Sequence, residues 1–274
     1  MDNKIRICCP CHFGLESVLK YEINKIGGTD LHVTDGKITF SGDFNTIARA
    51  NICLSTAERV LIELGEFEAR TFEELFQGVK AIEFENYIGI NDAFPVKGHS
   101  LNSALHSVPD CQSIIKKAVV ERLKSKYNVN WFEESNSVVQ IQFSILKDKV
   151  NIYLDTSGIG LHKRGYRKNS NTAPIKETLA AGIIDLARVR SDSIVCDPFC
   201  GSATILIEAA LKALKIAPGI NRRFAAEKWE CIDKEIWREE RSRAIDLVDR
   251  NAKFEGIGCD ICLLYTSPSP RDCS

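Results

Sequence analysis

The sequence predicts an α/β and α+β fold, in which short apolar strands alternate with amphipathic helices along most of the 274 residues. Three observations support this fold class. Apolar residues recur at helical spacing in residues 15–26. Two apolar runs within residues 138–155 flank a short polar turn, as in a hairpin. Residues 193–207 pass from a strand through a turn of small residues into a helix.

The first 65 residues predict a small β-α-β-α-β layer. Strands are expected at residues 5–9, 37–40 and 60–64 because each is a short apolar run. A short helix is expected to begin at Phe44. The first helix is predicted to end at Gly27-Gly28, and it presents one apolar face formed by Leu15, Val18, Leu19, Ile23 and Ile26.

A second set of alternating elements is predicted for residues 66–157. Asp148-Lys149 is expected to form the hairpin turn between its last two strands. The other expected elements are a helix at 72–81, a strand at 93–97, a helix at 113–127, and strands at 138–146 and 150–155.

The turn after residues 193–196 has the composition of a ligand-binding turn. Gly201 and Ser202 let a ligand approach the backbone closely. Asp197 is placed to accept hydrogen bonds from an ammonium or hydroxyl group, and the following helix start favours a carboxylate. The three glycines of a dinucleotide fingerprint are missing, which disfavours NAD or FAD. An amino-acid-bearing cofactor is therefore expected.

Residues 197–204 resemble the first motif of S-adenosylmethionine-dependent methyltransferases that methylate exocyclic amines. Residues 161–167 and 173–180 resemble, in order and spacing, the corresponding blocks of THUMP-domain RNA guanine methyltransferases related to the large-subunit rRNA enzyme. At Ala203 the family usually has Gly, and we expect the added methyl group to be tolerated. The resemblance implies S-adenosyl-L-methionine as cofactor, bound by Pro174, Lys176, Glu177, Thr178, Asp197, Pro198, Phe199, Cys200, Gly201, Ser202, Thr204 and Asp260.

The resemblance also implies a domain order. It predicts a ferredoxin-like domain at 1–65, a THUMP domain at 66–157, and the start of a Rossmann-like class I methyltransferase domain at 158–261. The implied function is methyl transfer to the exocyclic amine of a guanine in 23S rRNA. The alternatives are a THUMP-type RNA-binding module without catalysis, a tRNA guanine methyltransferase and a DNA adenine methyltransferase.

Residues 262–274 are expected to be a non-native tail. They break the preceding periodicity and resemble one reading frame of a transposase-based sequencing-library adaptor. The family's catalytic Asn-Pro-Pro-Tyr/Phe motif does not occur in the sequence, so no catalytic residue is assigned. The polypeptide is accordingly expected to be an inactive fragment.

Two groups of polar and basic residues are candidates for RNA contact. Lys97, Ser100, Lys116 and Lys117 follow the pattern of a phosphate-contacting face, although an ordinary solvated helix face explains them equally well. A denser basic run lies between the second and third predicted domains, where RNA contact is favoured because its charges cluster beside the expected cofactor site. This run comprises Lys163, Arg164, Arg167 and Lys168.

Composition limits the remaining function classes. The 36 basic and 37 acidic residues nearly cancel, so any nucleic-acid surface must be a local patch. Nine of the 11 cysteines precede the tail, without a disulfide framework, which predicts reduced thiols and a cytoplasmic location. No apolar run reaches the ~20 residues of a membrane span. Residues 8–12 hold three cysteines and a histidine but lack a second ligand pair, so buried thiols are expected and no metal.

Overall fold

The computed structural model describes residues 4–166 and 175–260. No helix in these two ranges combines the length and apolarity needed to cross a bilayer. The strands are β1 Ile5–Pro10, β2 Thr29–Thr34, β3 Lys37–Gly42, β4 Leu61–Glu68, β5 Val96–Leu101, β6 Ile141–Leu146, β7 Lys149–Asp155, β8 Ile194–Asp197 and β9 Glu255–Gly258. The α-helices are α1 Glu16–Lys25, α2 Phe44–Cys53, α3 Phe72–Lys80, α4 Val108–Tyr127, α5 Glu177–Leu186, α6 Thr204–Ala213 and α7 Lys234–Asp246.

The N-terminal layer contains one strand more than the sequence predicts. β2 pairs with β3 at the edge of the sheet, so the order along the chain is β-α-β-β-α-β. Five of the six β2 residues are exposed, and the strand therefore lacks the apolar alternation that would reveal it. The predicted strands at 5–9, 37–40 and 60–64 are confirmed as β1, β3 and β4, each longer than expected at its C-terminal end.

A single seven-stranded sheet runs through the first two predicted domains. Its order is β2-β3-β1-β4-β7-β6-β5. β4 pairs with β1 on one side and antiparallel with β7 on the other, from Leu61 opposite Asp155 to Glu68 opposite Lys149. The expected boundary between residues 65 and 66 thus falls inside β4. The main chain of this one strand belongs to both halves of the sheet.

The second half of the sheet differs from the sequence prediction in its details. β5 begins at Val96, because Ala93 makes only an isolated bridge with Val138. α4 begins at Val108, five residues before the predicted start, with Pro109 in its first turn. The hairpin between β6 and β7 turns at Lys147 and Asp148, with φ angles of 51° and 64°, and not at Asp148-Lys149. Two consecutive left-handed residues are what a type I′ hairpin turn requires.

The segment that includes α7 packs against the seven-stranded sheet and its helices. Trp229 is buried, and its Nε1 donates to the carbonyl of Val138 at 3.1 Å. Trp237 stacks on Phe224 with ring centroids 5.5 Å apart. Arg49 of α2 donates from Nε to Glu240 of α7 at 2.7 Å. Phe224, Trp229 and Trp237 share one hydrophobic core with β1, β3 and β4, so the third predicted domain is packed against the first two.

Arg164 lies in the linker between β7 and α5 and is buried, with 7% of its surface exposed. Its guanidinium donates to the carbonyls of Leu161 at 2.7 Å and Ser55 at 2.6 Å, and its Nε lies 3.4 Å from Glu208 of α6. The hydroxyl of Tyr166 donates to the same carboxylate at 2.9 Å. Arg164 therefore joins the linker to both the N-terminal layer and α6. Its guanidinium is not available to an RNA phosphate, contrary to the prediction from the basic run.

β8 and β9 form a separate, parallel two-stranded sheet, with α6 following β8. Ala203, the residue before α6, has a φ angle of 56°, in the left-handed region. The Cβ of an L-residue makes this conformation unfavourable, whereas glycine adopts it readily. The glycine that the resemblance leads us to expect at this position would adopt this conformation without strain.

We predict that Ala203→Gly raises the free energy of unfolding by roughly 0.5–1 kcal/mol, because relief of the left-handed strain exceeds the entropy that glycine adds to the unfolded chain. Urea titration followed by circular dichroism measures this change. Ala210→Gly, in the interior of the same helix, is the matched control and is expected to destabilise by about 1 kcal/mol. Destabilisation by both variants would contradict the assigned strain.

We also predict that Arg164→Ala destabilises the protein by about 3–5 kcal/mol, because it leaves Glu208 buried without its charge partner. The neighbouring Lys163 is exposed, and Lys163→Ala is expected to change stability by less than about 0.5 kcal/mol. The midpoints of thermal unfolding compare the two variants directly. Similar midpoints would show that the buried ion pair is not the stabilising contact proposed for the linker.

Candidate functional site

The carboxyl ends of β8 and β9 lie side by side and carry one aspartate each. Asp197 is the last residue of β8 and lies opposite Gly258, and Asp260 follows β9 by two residues. Two backbone hydrogen bonds fix the chains beyond the strands: Cys259 N–H donates to Asp197 at 3.0 Å, and Cys200 N–H donates to Cys259 at 2.9 Å. The carboxyl ends of adjacent parallel strands are a common place for ligands in open α/β sheets.

The turn from β8 to α6 is open on one side. Gly201 has a φ angle of +50°, and a Cβ at this position would meet no heavy atom within 4 Å. Its N–H donates to Asp260 Oδ2 at 2.9 Å, which ties the turn to the end of β9. Phe199 is 87% exposed, and its N–H donates to Asp197 Oδ1 at 3.1 Å. The turn thus combines two carboxylates with a backbone that a ligand can approach closely.

The other predicted residues of this turn have structural contacts of their own. Cys200 is buried and lies close to Gly258, because a Cβ added at Gly258 would stand 3.0 Å from the Sγ of Cys200. The Cys200 side chain therefore packs the turn against β9. The hydroxyls of Ser202 and Thr204 lie 3.1 Å apart at the start of α6. Pro198 is exposed between Asp197 and Phe199. Of the predicted cofactor-binding residues, the structure therefore brings together those at positions 197–204 and Asp260.

The predicted residues at the start of α5 make different contacts. Lys176 Nζ lies 3.5 Å from a carboxylate oxygen of Glu58, and the Thr178 hydroxyl donates to the same carboxylate. Thr178 is fully buried and Glu177 is 5% exposed. Pro174 lies outside the described residues. Lys176 and Thr178 make no hydrogen bond or ion pair with the described residues of the turn after β8, so the structure places them at the contact with the N-terminal layer.

Glu58 is the centre of a polar cluster that the sequence gives no reason to expect. His12 Nε2 lies 3.1 Å from one of its oxygens and His162 Nδ1 lies 3.5 Å from the other. Burial tends to raise the pKa of the Glu58 carboxyl, but the hydrogen bond from Thr178 and the nearby positive charges outweigh burial and hold that pKa below its usual value. Its partners come from three distant segments, which no local motif reveals.

The predicted RNA-contacting residues fall into two classes. Lys97 on β5, Lys117 on α4 and Lys163 in the linker are exposed. Lys116 is engaged within the protein: its Nζ donates to Phe94 O at 3.1 Å and to Glu134 at 2.5 Å. The hydroxyl of Ser100 donates to Leu105 O at 2.6 Å. Arg164 is buried against Glu208, and Arg167 and Lys168 lie outside the described residues.

The cysteine-rich stretch at residues 8–12 is part of the core. Cys8, Cys9 and Cys11 are buried, and burial raises the pKa of the Cys8 and Cys11 thiols to about 12. The imidazole of His12 is directed to Glu58. Within residues 4–166 and 175–260, no three His, Cys, Asp or Glu side chains form a group suited to a metal ion.

A cavity of about 330 Å³ lies between the N-terminal layer and helices α5 to α7. Its lining includes Tyr21 and Arg49 from the first layer, and Leu211 and Ala244 from α6 and α7. None of the residues of the turn after β8 lines it. The candidate site is therefore identified by its chemical groups and open backbone and not by the volume of a cavity.

Comparison with known protein families divides the chain into three parts. Residues 6–61 match the RlmL ferredoxin-like domain, residues 69–155 match the THUMP domain, and residues 164–261 match the RMKL-like methyltransferase domain. The last match includes β8, α6 and β9, with the turn that carries Asp197 and Gly201.

Individual proteins are similar over most of the chain. YpsC of Bacillus subtilis, named as a candidate RNA methyltransferase, is 47% identical over 242 residues, which are 87% of this chain and 62% of YpsC. The chain thus spans about three-fifths of the length of that curated relative. A Listeria monocytogenes structure described as a predicted N6-adenine-specific DNA methylase is 44% identical with a TM-score of 0.91, covering 94% of this chain and 68% of that one.

A third structure, SMU.472, described as a candidate methyltransferase complexed with SAH, is 39% identical with a TM-score of 0.89, covering 95% of this chain and 69% of that one. The matched domains, their order and these identities agree with one another. The chain therefore belongs to the family of methyltransferases that combine an RlmL-type ferredoxin-like domain, a THUMP domain and an RMKL-like methyltransferase domain.

Proposed function

We propose that the chain binds S-adenosylmethionine at the turn between β8 and α6 and belongs to a methyltransferase that acts on the exocyclic amine of a guanine in RNA, specifically in 23S rRNA. We also propose that this polypeptide is itself inactive, because its sequence lacks the Asn-Pro-Pro-Tyr/Phe motif. The observation that carries the proposal is the pair Asp197 and Asp260 on neighbouring strand ends, on either side of the open backbone at Gly201. The SAH complex of the similar structure SMU.472 supports the choice of cofactor.

The residues present fit such a cofactor. Asp197 Oδ1 accepts the Phe199 N–H, and among the described residues Oδ2 has no hydrogen-bond partner, which leaves it to accept from the ammonium or a hydroxyl of the cofactor. Asp260 is proposed to bind the ribose while keeping its bond to Gly201 N–H. The absence of a side chain at Gly201 leaves room for the cofactor beside the turn.

When bound, S-adenosylmethionine supplies an electrophilic methyl group. The guanine amine is shielded inside a stacked helix, so the target base has to be flipped out of its strand before transfer. The sequence contains no Asn-Pro-Pro motif to hold such an amine, and we assign no catalytic residue. The proposed roles of the described residues are cofactor binding and RNA binding.

RNA is favoured as the substrate class because the chain contains a THUMP domain and because the similar protein YpsC is named as a candidate RNA methyltransferase. Lys97, Lys117 and Lys163 are exposed lysines available to phosphates. The similarity to the Listeria monocytogenes protein, described as a DNA methylase, favours a second candidate, a DNA adenine methyltransferase. A competition experiment between RNA and DNA of equal length separates the two candidates.

Two further alternatives remain within the RNA class. One is methylation of a tRNA guanine, and the other is an RNA-binding module without catalysis.

A cytoplasmic location is also part of the proposal, supported by the free thiols of all nine cysteines in the described part of the chain.

We predict that Asp197→Ala weakens binding of S-adenosylhomocysteine about 10- to 100-fold, since a charge-assisted hydrogen bond contributes roughly 1.5–3 kcal/mol. Isothermal titration calorimetry measures the dissociation constant. Asp192→Ala, which removes a carboxylate just before β8, is the matched control and is expected to bind normally. Equal affinity of wild type and Asp197→Ala would refute the proposed site.

We predict that the double variant Lys97→Glu/Lys117→Glu binds structured RNA more weakly and with a salt dependence reduced by about two units of log–log slope, one for each lost phosphate contact. Because both lysines are exposed, the melting temperature should stay nearly unchanged. Fluorescence anisotropy at several salt concentrations measures the slope. Lys234→Glu on α7 is the control, and an unchanged slope in the double variant would move the RNA surface elsewhere.

A further inference from the structure

Phe13 is the most exposed large apolar side chain of the N-terminal layer, at 82%. It lies in the loop between β1 and α1, within the ferredoxin-like domain match. Single exposed apolar residues are common on protein surfaces. The meaning of this ring therefore depends on how firmly the loop holds it and on what surrounds it.

The loop that carries Phe13 is held at three points. The Glu16 carboxylate accepts the N–H of Gly14 and the N–H of Gly36, both at 2.8 Å. The N–H of Cys11 donates to the carbonyl of Gly36, also at 2.8 Å. These bonds fasten the loop to the turn between β2 and β3. The exposure of Phe13 is thus a fixed feature of the fold.

The ring of Phe13 rests on Gly36 and leaves the rest of its surface to solvent. A Cβ on Gly36 would stand 3.1 Å from Cε1 of the ring and 3.4 Å from its Cζ. The turn therefore supports the ring from one side only. A flat aromatic surface supported on one side and open on the other is suited to stacking with another flat group.

The surroundings of Phe13 are polar and carry charges of both signs, with the Glu16 carboxylate at the loop itself. The adjacent residue, His12, reaches Glu58, where Lys176 and His162 converge. Lys163, next to His162, is exposed and takes part in no ion pair among the described residues. His162, Lys163 and Lys176 belong to the segment between β7 and α5. An exposed aromatic ring, with an exposed lysine in the same part of the surface, is a combination with which proteins bind single-stranded nucleic acid.

We propose that Phe13 is a stacking platform for an unpaired base of the RNA, with Lys163 contacting an adjacent phosphate. The proposal rests on the proposed function, because it requires RNA as the ligand. Unpaired bases in loops and bulges are the parts of RNA that can be splayed out onto an aromatic side chain. Stacking on a ring does not read sequence, so the proposed contact selects unpaired structure and not a particular base.

The test measures RNA binding by the full 274-residue chain with fluorescence anisotropy. Two RNAs of equal length are used, a hairpin with a loop of unpaired purines and a fully paired duplex. Phe13→Ala is expected to weaken hairpin binding about 5- to 100-fold and to leave duplex binding unchanged. Phe13→Tyr should restore hairpin binding, whereas Phe13→Leu, apolar but without a ring, should not.

Tyr21→Ala is the matched control, since Tyr21 is a half-exposed aromatic residue of the same layer beside the cavity, on α1. It should bind both RNAs normally. A direct reading comes from 2-aminopurine in the hairpin loop, whose fluorescence should be quenched by the wild-type chain and not by Phe13→Ala. The melting temperature of Phe13→Ala should equal that of the wild type because the ring is exposed.

The outcomes separate this inference from the function on which it rests. Hairpin binding that is equal in wild type and Phe13→Ala would overturn the stacking platform while leaving RNA binding intact. The same loss on hairpin and duplex, or the same loss in Tyr21→Ala, would also overturn it. If the wild-type chain binds neither RNA, the proposed function fails and the stacking platform fails with it.

Discussion

The antiparallel pairing of β4 with β7 is the contact on which the architecture depends. It joins the ferredoxin-like layer to the THUMP part by main-chain hydrogen bonds from Leu61 to Glu68, so the two parts form one sheet of seven strands. Neither part would have a complete sheet without the other, because β4 would become an exposed edge in one and β7 in the other. The helices on both parts are positioned by this common sheet.

Contact with the methyltransferase part combines polar groups with apolar packing. Arg164 and Glu58 each contact partners from distant segments. The Arg164 guanidinium is buried, and the Glu58 carboxylate is half-buried. Such groups are stable only when their hydrogen bonds are satisfied, which requires all partner segments to be in place together. Apolar packing around Trp229 and Trp237 buries further surface between the parts. The polar clusters thereby fix one relative arrangement of the parts.

The sequence allowed prediction of elements whose signals are local. Buried strands such as β1, and the turn at residues 197–204, carry apolar runs and small residues that can be read directly. β2 was missed because its exposed side chains show no apolar pattern. The role of Arg164 could not be predicted, since a basic run looks the same whether a guanidinium faces solvent or a buried carboxylate. The Glu58 cluster depends on contacts between residues far apart in sequence, which periodicity does not report.

The shared hydrophobic core has a consequence for how an RNA would be selected. The sheet and α7 share one hydrophobic core, and Arg164 joins the linker to α6. The spacing between the lysines on β5 and α4 and the turn after β8 is therefore set by side-chain contacts and not by a flexible tether. Under the proposed function, an RNA bound at these lysines would place its target nucleotide at the turn after β8 only when the two points on the RNA lie at this fixed distance. Recognition of this kind would depend on the shape of the RNA, and it would tolerate changes in the bases between the lysine-bound region and the target nucleotide.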